Sequence, residues 1–288
     1  METLTVELIH QPHFDRHYQL LAPASDLLLY IESYWMLDLR NPQHQQSRFV
    51  EINLAKLQSI LIVNLGNPFE VFGRQGERVY TCTHSALVGY HTRRLSYKHQ
   101  FGNYLIGVTF HPAAANHLFR VQGQELMNQL LPLDVLLPNA SLLEAQLAED
   151  GYPATVQKVL NTWMRLLVGR ATPDSRLGYV QQALQPDKLH GANYFSRQLA
   201  SLLCVTNRSL ERYFKEHMAL SPKHCLRIQR FRQALPVYGR YGSAIDWTEW
   251  GYHDFSHFMK DYHHFMVDLQ PDDAIRSNKS LSPNDLGL

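Results

Sequence analysis

The stretch YFSRQLASLLCVTNRSLERYFKEHM, residues 194–218, decides the fold of the carboxy-terminal half of the chain. Its apolar residues make two short faces at helical spacing, one from Leu199, Leu202 and Leu203 and one from Val205, Leu210 and Phe214. Two short helices that meet at Cys204 and Val205 would bury both faces, with Ala200 allowing a close approach and Thr206 capping the second helix. The stretch therefore predicts a helix-turn-helix unit.

The second of these helices directs polar side chains outward, namely Asn207, Arg208, Glu211, Arg212 and Lys215. Long cationic and amide side chains on an exposed helix suit the major groove of DNA, because arginine can bind O6 and N7 of guanine together. We therefore predict that this is a recognition helix. The alternative is an ordinary solvated helix face.

A second helix-turn-helix pattern follows the first, after a segment that predicts a connecting helix. Ser221 and Pro222 are a cap and a first-turn proline, and they predict a connecting helix to about Tyr238, roughly 27 Å long. A second unit is then expected, with a short helix beginning at Ile245 and Trp247, a turn at Gly251, a cap at Asp254, and a last helix that buries Phe258, Tyr262 and Phe265. Leu210 and Phe258 hold comparable places in the two units, so the segment is interpreted as a duplication joined by a rod.

The amino-terminal half has a different texture. Short β-rich runs such as YIESYWMLDL, SILIVNLG and YLIGVTFHP fill residues 30–112 between glycine, asparagine and proline, and they predict a small sheet or barrel. Helical patterns begin near residue 113, and the strongest is a stripe of Val156, Val159, Leu160, Trp163 and Leu167. We expect this stripe to pack on the sheet of its own domain, with a dimer-forming helix as the alternative.

Length and composition agree with two folded domains, since 288 residues with 45% hydrophobic side chains can form two cores. We place an α+β sensor or dimerisation domain at 1–168, a linker at 169–174 with Asp174 as a helix cap, an all-α tandem helix-turn-helix domain at 175–276, and a loose tail at 277–288. No apolar run reaches the length of a membrane span, so a cytoplasmic protein is expected. Cys82, Cys204 and Cys225 form no CxxC pair and are interpreted as buried apolar residues.

Two stretches, VTNRSLERYFKEHMALSPKHCLRIQRFRQAL and WGYHDFSHFMKDYHHFMVDLQPDDA, resemble the AraC/XylS family of bacterial transcription regulators. That family joins a leucine, arginine and phenylalanine in its first recognition helix to a Ser-Pro start of the connecting helix. It also carries a Gly-aromatic-x-Asp-x-Ser-His-Phe run in the second unit. YIESYWMLDL, ILIVNLGNPFEV, ALVGYHTRRL and LIGVTFHPAAANHLF are similar to a cupin-like domain, of unassigned ligand, that precedes the DNA-binding part in some AraC-type regulators. Trp247 and Ala219 depart from that family, which has small alanine and glycine there.

The resemblance implies base-facing positions at Arg208, Glu211 and Arg212 in the first unit, with Asn207 beside them. In the second unit it implies Phe255, Ser256, Met259 and Lys260. We expect these residues to contact double-stranded DNA, helped by a line of cations at Lys215, Lys223, Arg227 and Arg230. RNA polymerase, a small-molecule effector and a second copy of the chain are further candidate partners, and no membrane partner is expected.

The two units differ in net charge. Residues 191–242 carry nine lysines and arginines against two acidic residues, whereas residues 243–276 carry two against seven. Because phosphate contacts supply most of the non-specific affinity for DNA, the second unit is expected to bind DNA weakly or to contact a protein. The alternative function is therefore a protein-interaction or anti-regulator module that kept the fold and lost productive DNA binding.

Histidines supply two further hypotheses. His253, His257, Asp261 and His264 could share one helix face and hold a transition metal, or their protonation below about pH 6 could strengthen DNA binding. His84, His91, His99 and His111 lie in or beside predicted strands, but the metal-cupin pattern of an HxH pair with a downstream glutamate is missing. We expect neither a metal nor a cofactor. GxSxG, P-loop, GxGxxG and HExxH motifs are missing too, so no enzyme is expected.

Overall fold

The computed structural model describes residues 3–45, 47–185 and 196–266. We call residues 3–170 the front half and residues 175–266 the back half. The expected tail at 277–288, the end of the predicted second unit and the start of the predicted first unit at 194–195 lie outside the described residues.

Eleven named strands of the front half form two sheets. The first sheet has the order β1 (Thr3–Val6), β4 (Arg48–Asn53), β9 (Leu95–Gln100), β6 (Phe69–Phe72) and β7 (Arg78–Cys82). The second has the order β11 (Leu130–Pro132), β8 (Ala86–Val88), β5 (Ile60–Asn64), β10 (Tyr104–Phe110), β3 (Ile31–Asp38) and β2 (Tyr18–Leu21). β1 runs parallel to β4, and the other pairs are antiparallel. The predicted β-rich front is confirmed.

The helices of the front half are α1 (Gln11–His17), α2 (Ala114–Phe119), α3 (Gly123–Leu126), α4 (Leu133–Leu136), α5 (Ala140–Ala148) and α6 (Pro153–Arg170). Two short 3-10 turns lie at Ser25–Leu27 and Pro42–His44.

The second sheet is the middle layer of the front half. Its Leu37, Ile62 and Leu105 pack against the first sheet, where they share a core with Phe49, Val71 and Tyr97. Its other face buries Tyr34, Leu61, Ile106 and Val108 in the core that also holds Leu160 and Met164 of α6. Strands buried on both faces have continuous apolar sequences, as β5 (ILIVN) does.

Helix α6 settles the interpretation of the apolar stripe. Val156, Leu160, Trp163 and Leu167 are buried in the core of the chain itself, which confirms the predicted packing on the domain's own sheet. The stripe is therefore not available as the face of a dimer. The helix ends at Arg170, two residues inside the predicted linker, and Asp174 caps the next helix by accepting a hydrogen bond from the Arg176 amide at 2.9 Å.

The back half is helical, with α7 (Ser175–Ala183), α8 (Ser196–Leu202), α9 (Asn207–Met218), α10 (Pro222–Tyr241), a 3-10 turn at Trp247–Trp250 and α11 (Phe255–Phe265). The tandem arrangement agrees with the sequence prediction. Two details differ. The short helix of the second unit is a 3-10 turn that begins at Trp247, without Ile245. Helix α10 includes Pro236 and ends at Tyr241, three residues beyond the predicted end at Tyr238. Among the described residues, no helix is long and apolar enough to cross a membrane.

Candidate nucleic-acid interface

Helix α9 is held by its apolar side and its caps. Leu210, Phe214 and Met218 are fully buried, and the Thr206 hydroxyl accepts a hydrogen bond from the Ser209 amide at 3.0 Å. The helix ends at Ala219, whose φ of 49° lies in the left-handed region that glycine favours. Ala219 thus adopts the left-handed conformation that glycine reaches more easily. The turn after α9 therefore forms with alanine at this position.

The outward side of α9 carries the predicted base-facing residues. Asn207, Arg208, Arg212 and Lys215 are exposed and Glu211 is half-buried. The front half therefore leaves this face open. Cys204, in the turn before α9, is exposed with φ of 54°, so the expectation that all three cysteines are buried is wrong for this one. Cys82 and Cys225 are buried as expected.

The second unit presents a smaller polar surface. Ser256 and Lys260 are exposed on α11, whereas Phe255 and Met259 are half-buried. The ring of Phe255 lies 5.4 Å from that of Trp247 and 5.9 Å from that of Tyr238, measured between centroids, so it belongs partly to the apolar core of the unit. The ring of Trp247 stacks on that of Phe258 at 4.4 Å between centroids, so this large side chain is accommodated in the apolar core of the unit.

A buried carboxylate joins α10 to α11, and the sequence analysis missed it. Asp261 accepts hydrogen bonds from Arg227 Nε and from Arg230 Nη2, both at 2.7 Å, and from the Tyr252 hydroxyl at 3.1 Å. The Asp261 side chain is 3% exposed, that of Arg230 12% and that of Arg227 37%. Two of the cations expected on the DNA-facing surface thus neutralise an acidic residue of the second unit inside the protein.

This pairing changes the balance of surface charge. Six cations of the stretch from 196 to 242 are exposed: Arg197, Arg208, Arg212, Lys215, Lys223 and Arg240. In the second unit Asp261 is buried, while Asp246 and Asp254 cap helices through the amides of Thr248 and His257. Glu249 is exposed. The other acidic residues of the predicted count, Asp268, Asp272 and Asp273, lie outside the described residues, as does Arg276. The described part of the second unit is thus less acidic on its surface than the sequence suggests.

The structure bears on both hypotheses for the histidines of the second unit. Asp261 points to the arginines of α10, so it does not complete a metal-binding face with His253, His257 and His264. Burial lowers the pKa of His257, aided by Arg230, and burial lowers the pKa of His264, aided by Arg227. These two imidazoles therefore stay neutral to lower pH than an ordinary histidine, which argues against protonation near pH 6 as a means of strengthening DNA binding.

Two histidines of the front half, His13 and His99, lie beside a second buried carboxylate. Glu51 of β4 lies 2.8 Å from His13 Nε2 and 3.6 Å from His99 Nε2, and it accepts a hydrogen bond from the Tyr18 hydroxyl at 2.8 Å. His91 is 1% exposed, His111 is half-buried and His84 is exposed. Among the described residues, His84, His91, His99 and His111 belong to no group of side chains that could hold a metal ion.

Comparison with known proteins gives one family match. Residues 19–132, less than half of the chain, match the family described as a domain of unknown function (DUF6597). No curated protein matches the chain.

Solved structures give loose similarities only. ToxT from Vibrio cholerae O395 has a TM-score of 0.40 at 9% identity, over 92% of this chain and 100% of that one. The same protein bound to (E)-4-(8-methylnaphthalen-1-yl)but-3-enoic acid has a TM-score of 0.42 at 10% identity, over 90% and 98%. The AraC-like transcriptional activator CuxR has a TM-score of 0.25 at 11% identity, over 83% and 93%. Similarities this loose carry no argument about function.

Proposed function

We propose that this chain is a sequence-specific DNA-binding transcription regulator of the AraC/XylS type. The observation that carries the proposal is α9, a capped helix with a buried apolar side and with exposed Asn207, Arg208, Arg212 and Lys215 on the other. Such a helix can enter the major groove without exposing its own core. The sequence resemblance of residues 205–235 and 250–274 to that family supports the same assignment.

The residues take different roles in this proposal. Arg208 and Arg212 bind base edges, with Asn207 and Glu211 beside them, while Lys215 and Lys223 contact phosphates. Arg227 can reach a phosphate with donors that Asp261 leaves unused, since its side chain is 37% exposed. Arg230 is assigned to holding α11 in place. In the second unit Ser256, Met259 and Lys260 make a smaller contact with DNA.

Arg208→Ala is expected to weaken binding to the preferred DNA site by about 1 to 3 kcal/mol, or roughly 5- to 150-fold in Kd, because a two-point contact to a base is lost.

Lys215→Ala is expected to weaken binding to all sequences similarly and to lower the slope of log K against log salt by about one, because one phosphate contact is lost. Salt-titrated gel shifts on genomic fragments measure both effects.

Two exposed cations on α6 of the front half provide matched controls: Arg170→Ala and Lys158→Ala should leave both quantities unchanged. If Arg208→Ala and Lys215→Ala behave like these controls, α9 is not the recognition helix. If the unmodified chain protects no defined site, the protein-interaction alternative replaces the regulator.

We further propose that a small-molecule effector acts at the cupin-like front half. A cavity of about 280 Å³ is lined by His91 and by Arg74 and Arg94, the two arginines that also contact the back half. Neither ring nitrogen of His91 makes a regular hydrogen bond to a described residue, and burial together with Lys56 lowers the pKa of this histidine to about 3. A buried imidazole of this kind is suited to a ligand that supplies its missing hydrogen-bond partner.

This second proposal has its own test. Thermal unfolding of the full chain is measured against a library of small metabolites, and each compound that raises Tm is measured again on His91→Leu. Compounds that stabilise the wild type alone would support the site. Stabilisation of both proteins to the same degree would place the ligand elsewhere. RNA polymerase and a second copy of the chain stay predictions.

A further inference from the structure

The front half holds the carboxyl end of α9. Tyr90, in the connection between β8 and β9, is fully buried, and its hydroxyl lies 2.5 Å from the Met218 carbonyl oxygen and 2.7 Å from that of Gly123. Gly123 packs so closely on this helix end that a side chain there would meet the Ala219 nitrogen at 2.8 Å. The last carbonyls of a helix have no partner within it, so a donor from the front half satisfies one of them.

The front half also contacts the carboxyl end of α11. Arg94 Nη1 donates a hydrogen bond to the Met266 carbonyl oxygen at 2.9 Å. Arg74 makes a longer contact of 3.5 Å with the carbonyl of His263, one turn earlier. A cation is favourable at a helix carboxyl end, because the unsatisfied carbonyls give that end partial negative charge.

A third contact of the front half is with α10, at the turn of this helix that lacks a backbone hydrogen bond. Pro236 has no amide hydrogen, so the hydrogen bond that residue 236 would make to the carbonyl of Arg232 is missing from α10. The Arg232 side chain binds Glu7 of the front half and the Ala55 carbonyl oxygen at 3.3 Å. Burial alone would raise the pKa of Glu7, but Arg232 and Lys56 outweigh it and lower this pKa, so the contact is between charged groups.

These three contacts touch both recognition helices and the joint between them. We propose that Tyr90, Arg94 and Glu7 fix the separation of α9 and α11, and that the front half thereby determines the spacing of DNA contacts that the chain accepts. One base pair displaces the second contact by about 3.4 Å along the duplex and rotates it around the axis. Two units held at a fixed separation lose DNA contacts on a site altered in this way. Two units joined only through α10, which lacks one hydrogen bond at Pro236, can change their separation and keep those contacts. The inference rests on the proposed function.

The DNA test compares the preferred site with sites that have one base pair added or removed between the segments contacted by the two units. The wild type is expected to lose about tenfold or more in affinity on the altered sites, and the Tyr90→Phe, Arg94→Gln double variant about threefold or less. Tyr152→Phe and Arg170→Gln change exposed residues of the same types in the front half and should behave like the wild type. An equal spacing penalty in the wild type and the double variant overturns the inference.

A second measurement does not need DNA. Cys204 is exposed whereas Cys82 and Cys225 are buried, so a spin label on Cys204 and another on Glu249→Cys report the distance between the two units. The distance distribution should be narrow in the wild type and broader in the double variant, or in Tyr90→Phe alone if the double variant does not fold. Equal widths would refute the role of these contacts even if DNA binding is confirmed. A chain that binds no DNA but shows the broadening would refute the proposed function and leave the mechanical coupling standing.

Discussion

Replacing Asp261 with alanine is expected to lower the free energy of unfolding of the back half by about 3 to 5 kcal/mol. The reason is the charge left behind: the Arg230 side chain is 12% exposed and would lose its carboxylate partner inside the protein. Tyr252 would lose its hydrogen bond as well. Urea unfolding followed by circular dichroism measures the change, and hydrogen exchange of the α10 and α11 amides shows where it acts.

Two companion variants make the Asp261 result specific. Asp261→Asn keeps an acceptor for one arginine and should lose less stability than Asp261→Ala. Glu249→Ala removes an exposed acidic side chain from the same unit and should stay within about 0.5 kcal/mol of the wild type. A loss below about 1 kcal/mol for Asp261→Ala would contradict the assigned ionic centre.

The second large effect concerns pH and Glu51. Burial alone would raise the pKa of this carboxyl, but His13, His99 and Tyr18 outweigh burial and hold the pKa at about 2, against an ordinary 4.5. Because the folded-state pKa is lowered, the stabilisation is complete above pH 4.5 and is lost as the pH falls from 4.5 toward 2. The difference in pKa corresponds to about 3 kcal/mol.

Urea midpoints measured between pH 7 and pH 3 test this dependence. Glu51→Gln should lose about 3 kcal/mol at neutral pH and should show a smaller loss of stability on acidification than the wild type. Glu70→Gln, on strand β6 of the same sheet, changes a half-buried carboxyl and serves as the control. Parallel pH profiles for wild type and Glu51→Gln would show that Glu51 is not held ionised by its neighbours.

The parts of the fold that the sequence could predict are local. Thr206, Ser221 and Asp254 cap helices by accepting hydrogen bonds from amides three residues later, so their positions in the sequence mark the helix starts directly. The periodic apolar residues of α9 and α11 are equally local signals, and both helices lie where their patterns predict.

The missed parts depend on distant residues. Asp261 is 31 and 34 positions from its two arginines, Glu51 is 38 from His13, and Arg232 is 225 from Glu7. No spacing rule relates residues so far apart, so the sequence analysis expected Arg227 and Arg230 on the DNA-facing surface and did not identify the contact of Arg232. The candidate interface on α9 was predictable because its buried side chains recur at helical spacing and leave the polar ones on the opposite face. The contacts of Tyr90 and Arg94 with the ends of α9 and α11 were not predictable.

The layered build of the front half has a practical consequence for producing it alone. β5 and β10 are covered on one side by the first sheet and on the other by helices that follow them in the chain, up to Leu167 of α6. A fragment cut after the last strand would leave leucine, isoleucine and tyrosine side chains of the middle sheet in water, and it would tend to aggregate. Any fragment of the front half should therefore keep α6 through Arg170.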